Sequence, residues 1–197
     1  MITPALALCL TITMTPQEPS HTVRIALDSD SVSEAATRDQ LERLLERLEP
    51  ERWIFSPDVL IKDRTIPRSH PVVTMRTGES DRELIANFLH ENIHWYLSER
   101  RPALEPAIVE LRRRYPSLPV AFPEGAGDEY SSYLHLIVCA LEFKALREVV
   151  GDVEAVGTMQ FWATHHYTKI YSIVIEDEAA IMALLDEHGL SNRALGE

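Results

Sequence analysis

Hydrophobic and polar positions divide the chain into two stretches of different grammar, and the change falls near Gly78. Before it, short apolar runs are separated by proline, serine and charged residues. "ALALCLTITM" (residues 5–14) and "HTVRIALD" (residues 21–28) read as β-strands joined by "TPQEPS", a loop or hairpin connection, so the two are expected to pair. Leu41, Leu44, Leu45 and Leu48 recur at helical spacing in "SVSEAATRDQLERLLERLEP" and predict a charged amphipathic helix that stops at Pro50. "DVLIKD" and "HPVVTMRT" read as two more short strands, with Pro67 and Pro71 marking an edge or a turn.

After Gly78 the apolar residues follow a helical period. "SDRE" at residues 80–83 has the form of a capping box, so a helix is expected from about Asp81 to Ser98. "ALEPAIVELRRR" predicts a second helix ending before Pro116, and "YPSLPVAFPEGAGDEY" a loop. "DEYSSYLHLIVCALEFKALREVV" predicts a long helix closed near Gly151. "VEAVGTMQFWATHHYTKIYSIVI" and "DEAAIMALLDEHG" read as two further helices. The fold class is therefore α+β: a small antiparallel or mixed sheet within residues 1–78, then a mainly helical part over residues 79–188. A length of 197 residues suits a single domain.

Composition narrows the partners. The apolar fraction of 45% and the charged fraction of 25% are those of an ordinary globular protein. A formal net charge of -12 opposes phosphate backbones and anionic lipid, so neither nucleic acid nor a membrane surface is an expected partner. The run Arg112 to Arg114 reads as a solvated helix end that complements the helix dipole. Cys9 and Cys139 lie far apart and outside any CxxC pattern, which gives no disulfide framework and no cysteine zinc site. The N-terminal apolar run has no Lys or Arg before it and is too short for a bilayer span, which needs about 20 apolar residues. The expected location is cytoplasmic, with secretion as the alternative. Nothing in the pattern signals an oligomeric state.

The chemistry concentrates in "FLHENIHWYL", residues 88–97. Residues four apart share a helix face, so His90 and His94 can present two imidazoles to one ion, with Glu91 beside them. In the pattern H-E-x-x-H the histidines bind zinc and the glutamate polarises water. Leu84, Ile85, Phe88, Leu89, Ile93 and Leu97 make this helix mostly buried, and buried imidazoles and carboxylates need partners. A solvated polar stripe is the alternative.

A catalytic zinc site usually has three protein ligands. His135, alone in the apolar "YLHLIVCALEF", is the preferred third ligand, with Glu142 and Glu129 as rivals. Glu124 lies in a Pro/Gly loop, a poor rigid mount. Glu142, seven residues after His135, is placed to orient a ligating imidazole from behind. Cys139 reads as a small buried hydrophobe. His165, His166, Tyr167 and Tyr171 form a polar aromatic cluster, from which His166 and Tyr171 are the candidate donors to a developing oxyanion. His21, His70 and His188 are expected at the surface.

"HENIH" on a buried helix, preceded by strands and followed by a second buried helix bearing a histidine, resembles the zincin superfamily of metallopeptidases. The specific likeness covers residues 90–94, with a looser architectural likeness over about residues 58–150. The metzincin continuation is missing, since Leu97 and Arg100 stand where its Gly and His would be. The resemblance implies zinc held by His90 and His94, Glu91 as general base, and a peptide or protein substrate lying along the strand near "HPVVTMRT". The competing readings are a non-catalytic zincin-like domain, with a structural metal or a partner-binding cleft, and a metal-free helical interaction protein.

Overall fold

Two capping boxes set where the early helices begin in the computed structural model, which describes residues 23–192. Ser31 accepts the Glu34 amide while the Glu34 carboxylate reaches back to the Ser31 amide, and Ser80 and Glu83 repeat the device. The elements run β1 (Arg24–Leu27), α1 (Val32–Leu48), a short 3-10 turn (Glu51–Trp53), β2 (Asp58–Lys62), β3 (Val73–Arg76), α2 (Asp81–Ser98), α3 (Arg101–Arg114), α4 (Glu129–Val150), α5 (Asp152–Trp162) and α6 (Thr168–Glu187). The class is α+β, as the pattern predicts. No helix among the described residues is long and apolar enough to cross a membrane.

The sheet differs from the expected antiparallel or mixed form. Its three strands, in the order β1-β2-β3, are all parallel. Alternation of apolar residues marks a strand but not its direction; the connection decides that. Here α1 carries the chain from the end of β1 back to the start of β2, so Arg24 pairs with Asp58 and Leu27 with Ile61. Residues 63–72 make a second return, which sets Val73 beside Val59 and Arg76 beside Lys62. The expected pairing of residues 5–14 with residues 21–28 lies outside the described residues.

The C-terminal part also departs from expectation. The helix break falls at residues 163–167, where Tyr167 adopts a left-handed φ of 48°. The boundary expected near Glu176 is only a kink, with non-helical torsions at Asp177. Ile170, Tyr171, Val174, Ile181, Leu184 and Leu185 are all buried, so both halves of α6 keep one face on the core through the kink. That core is centred on α4, which packs against α2, α3, α5 and α6.

Asn92, inside the "HENIH" turn, ties α2 to the strand-bearing part. Its Oδ1 accepts the amides of Phe55 (2.9 Å) and Ser56 (3.0 Å), just ahead of β2, and its Nδ2 donates to the Phe88 carbonyl (3.0 Å). The residue is fully buried, so no water can replace these bonds. Asn92→Leu orphans the buried Ser56 amide and the part-buried Phe55 amide, and urea denaturation is expected to show a loss of about 3 kcal/mol of unfolding free energy.

Candidate metal centre and its cleft

One turn of α2 and one of α4 bring three imidazoles together. The ring centroids of His90 and His94 are 5.1 Å apart, those of His94 and His135 5.1 Å, and those of His90 and His135 5.6 Å. One donor nitrogen from each lies within 4.8 Å of the other two. His90 is buried, and His94 and His135 are half-buried.

Hydrogen bonds at the backs of two rings decide which nitrogens remain. His90 Nδ1 donates to Glu142 Oε2 at 2.9 Å, and His135 Nδ1 donates to the Ser131 carbonyl at 2.7 Å. A carboxylate and a carbonyl can only accept, so both protons are on Nδ1 and the Nε2 lone pairs are left. His94 makes no hydrogen bond to any described residue. Burial, with the neighbouring imidazoles, holds His94 well below the usual histidine range, and burial with His90 pushes His135 down to about 3. Both rings are therefore neutral at neutral pH, the form that can coordinate a cation. Burial also opposes protonation of His90, but the hydrogen bond and charge of Glu142 outweigh it and raise that ring.

Glu142 lies behind an imidazole, though not behind the one on its own helix face. His135 uses the carbonyl one turn before it, and Glu142 serves His90 across the α2–α4 contact. The same Oε2 accepts the Tyr171 hydroxyl at 2.9 Å, while Oε1 is buried without a hydrogen-bond partner. Tyr171 is 1% exposed, so it does not reach a substrate as an oxyanion donor, contrary to the sequence expectation. Its ring belongs to the support of the histidines.

Glu91 faces a cleft of about 280 Å³. Arg76, Asn87, His90, Glu91 and His166 form its polar wall, and Ile66, Pro67, Phe122, Trp162 and Tyr167 the remainder. Glu91 is 7% exposed and takes no hydrogen bond or ion pair from any described residue. Burial pushes it up to about 7 against the pull of His90. His166 is on this wall, and burial together with His90 pushes it down to about 4. Tyr167, which the sequence reading passed over for Tyr171, packs its ring 4.4 Å from His135, and burial pushes its hydroxyl up to about 12. The signal was its neighbour His166, but the helix break that turns both toward the cleft was not legible.

The rival ligands are elsewhere. Glu129 is exposed and paired with Arg112 at 3.4 Å, and Glu124 is exposed in its loop. His90, Cys139 and Glu142 form a second close group. There His90 and Glu142 already bond each other, the group is buried throughout, and in the metal-free chain burial raises the Cys139 thiol well above its usual range. His70 is exposed and stacks on Trp95, His188 is half-buried beside Glu110 at 3.0 Å, and His21 lies outside the described residues. The strand edge expected to receive a peptide is taken at Thr74 by the backbone of Arg68, which makes both hydrogen bonds there. A larger, mainly apolar cavity of about 400 Å³ is lined by Leu44, Ile85, Leu146 and Val149 and contains none of the histidines.

No protein-family model, curated protein or solved structure matches the chain. The arrangement of its own residues is thus the whole basis for a functional reading. Tyr171→Phe deletes a buried donor to a carboxylate, and in chelator-treated protein the unfolding free energy from urea denaturation is expected to fall by about 1–3 kcal/mol.

Proposed function

We propose that the chain is a zinc-dependent metallopeptidase in which His90, His94 and His135 hold the ion and Glu91 is the general base. The observation that carries this reading is the convergence of three imidazole nitrogens within 4.8 Å, beside a buried, unpartnered carboxylate at a cleft. The donor set fits the metal: neutral imidazoles suit Zn²⁺, and three protein ligands leave the open position that a catalytic site needs. A structural zinc site usually closes with four protein ligands, so three histidines next to a cleft favour catalysis over a structural role. The reading rests on the site and not on a likeness of fold.

Zn²⁺, when bound, supplies the Lewis acidity that polarises a carbonyl and makes water acidic near neutral pH. The remaining work falls to the chain. Glu91, buried at the cleft without a hydrogen-bond partner among the described residues, takes a proton from water in the cleft and passes it to the departing amine nitrogen. His166, neutral at neutral pH, and the protonated Tyr167 hydroxyl face the same cleft and donate hydrogen bonds to the developing oxyanion. Phe122 and Trp162 offer apolar contact to a side chain of the peptide. Glu142 and Ser131 keep the two imidazoles in the tautomer that coordinates, and Tyr171 holds Glu142 in place.

Protein purified without added metal or an affinity tag is expected to contain about one zinc per chain by elemental analysis, as a three-histidine site requires. His94→Ala and His135→Ala are each expected to lose it. Glu91→Gln should keep the zinc and cut hydrolysis of denatured casein or a fluorogenic peptide mixture by roughly 10²–10⁴-fold. Undiminished hydrolysis by Glu91→Gln contradicts the proposal, as does a wild-type protein that cannot be loaded with zinc.

A further inference from the structure

Arg76 is the fixed positive charge on the wall of the cleft, in a chain whose net charge is -12. It ends β3, and the chain then turns through Gly78, whose φ of 80° is open to glycine at little cost. The turn brings Glu79 back to Arg76, with Nε donating to Oε1 at 2.7 Å. That carboxylate is nearly inaccessible, with a side chain 1% exposed. The same Oε1 accepts Asn87 Nδ2 from α2 at 2.7 Å, and Oε2 is buried without a partner. One buried carboxylate thereby clamps two residues of the cleft wall.

The clamp uses only one of the five N–H donors that a guanidinium carries. The Nη groups of Arg76 make no hydrogen bond to any described residue, and the side chain remains 43% exposed. A planar fork with its donors free and its stem held is suited to a carboxylate, which it binds through two parallel hydrogen bonds. Fixing Nε reduces the conformational freedom lost on binding. Glu79 offsets part of the charge, so directional hydrogen bonding contributes more than net attraction. A cleft of about 280 Å³ is at the small end of the usual range of about 300–1,000 Å³, which favours a short ligand over a long chain.

We propose that Arg76 is a carboxylate anchor and that the substrates are short peptides or acyl amino acids whose free carboxylate seats on its guanidinium beside the scissile bond. Glu79 is a positioning residue for Arg76. The assignment rests on the peptidase reading for its consequence in hydrolysis, but the anchor itself is read by binding. The carboxylate has two possible sources, the C-terminus or an acidic side chain.

The test uses zinc-loaded Glu91→Gln protein and isothermal titration with three probes. These are a set of N-acetyl-Xaa-Ala acids with apolar Xaa, the matching C-terminal amides, and N-acetyl-Xaa-Glu amides that keep only the side-chain carboxylate. The acids are expected to bind about tenfold to a hundredfold more tightly than the simple amides, as a charge-assisted pair predicts. R76M should remove that preference and R76K should restore only part of it, each with unchanged zinc content. The R76M/E79Q double variant, which leaves no buried carboxylate without its cation, should behave as R76M. Tight binding of the glutamyl amides would assign the side-chain source, and their weak binding the C-terminus. Equal affinity for acids and simple amides, an acid preference that survives R76M, or no binding of any probe overturns the anchor. An acid preference in a wild-type protein that hydrolyses none of these probes or casein defeats the peptidase reading and leaves the anchor standing, whereas equal hydrolysis of acids and amides does the reverse.

Discussion

Glu142 Oε2 accepts hydrogen bonds from His90 on α2 and Tyr171 on α6 while its own backbone belongs to α4. Burying a carboxylate is costly, several kcal/mol or more for an unpaired charge, so the two hydrogen bonds to Oε2 offset part of that cost while Oε1 stays without a partner. Satisfying this one oxygen fixes how α2 and α6 are rotated against α4. With α2 so fixed, His94 follows His90 by one turn and faces His135. The convergence of the imidazoles is therefore tied to the polar contact beneath them, and the apolar packing around α4 supplies the rigidity.

The strand-bearing part contributes more than a platform. Asn92 holds the segment leading into β2, so the helix that bears His90 and His94 is fastened to the strand-bearing part as well as to α4. β3 then ends at Arg76, on the wall of the same cleft as Glu91 and His166. The break between α5 and α6 contributes to the lining of that cleft as well. Its left-handed Tyr167 stands against His135, with His166 beside it. Three regions distant in sequence thus meet at one small cleft of mixed lining.

What could be read from the sequence was what depends on near neighbours. The α2 limits followed from Ser80 and Glu83, which act within one turn, and the shared face of His90 and His94 followed from helical geometry alone. His135 stood out because an imidazole in an apolar helix demands a partner. Strand direction was illegible because it depends on what α1 and residues 63–72 do between strands. Which imidazole Glu142 bonds was illegible for a similar reason, since a position on the face of His135 says nothing about which ring α2 presents across the interface. That Tyr167 and not Tyr171 lines the cleft was illegible because the pattern ran a helix through residues 163–167, where the chain turns. Asn92 and Arg76 gave no local signal; their importance comes entirely from contacts made by folding.

The most direct measurement of the central claim is anomalous diffraction at the zinc edge from crystals of the metal-loaded protein. The account predicts one strong peak bounded by the Nε2 atoms of His90, His94 and His135, at about 2.0–2.1 Å from each, with His90 Nδ1 still on Glu142. A peak held instead by Cys139 and Glu142, or zinc found only at scattered surface histidines, would contradict it.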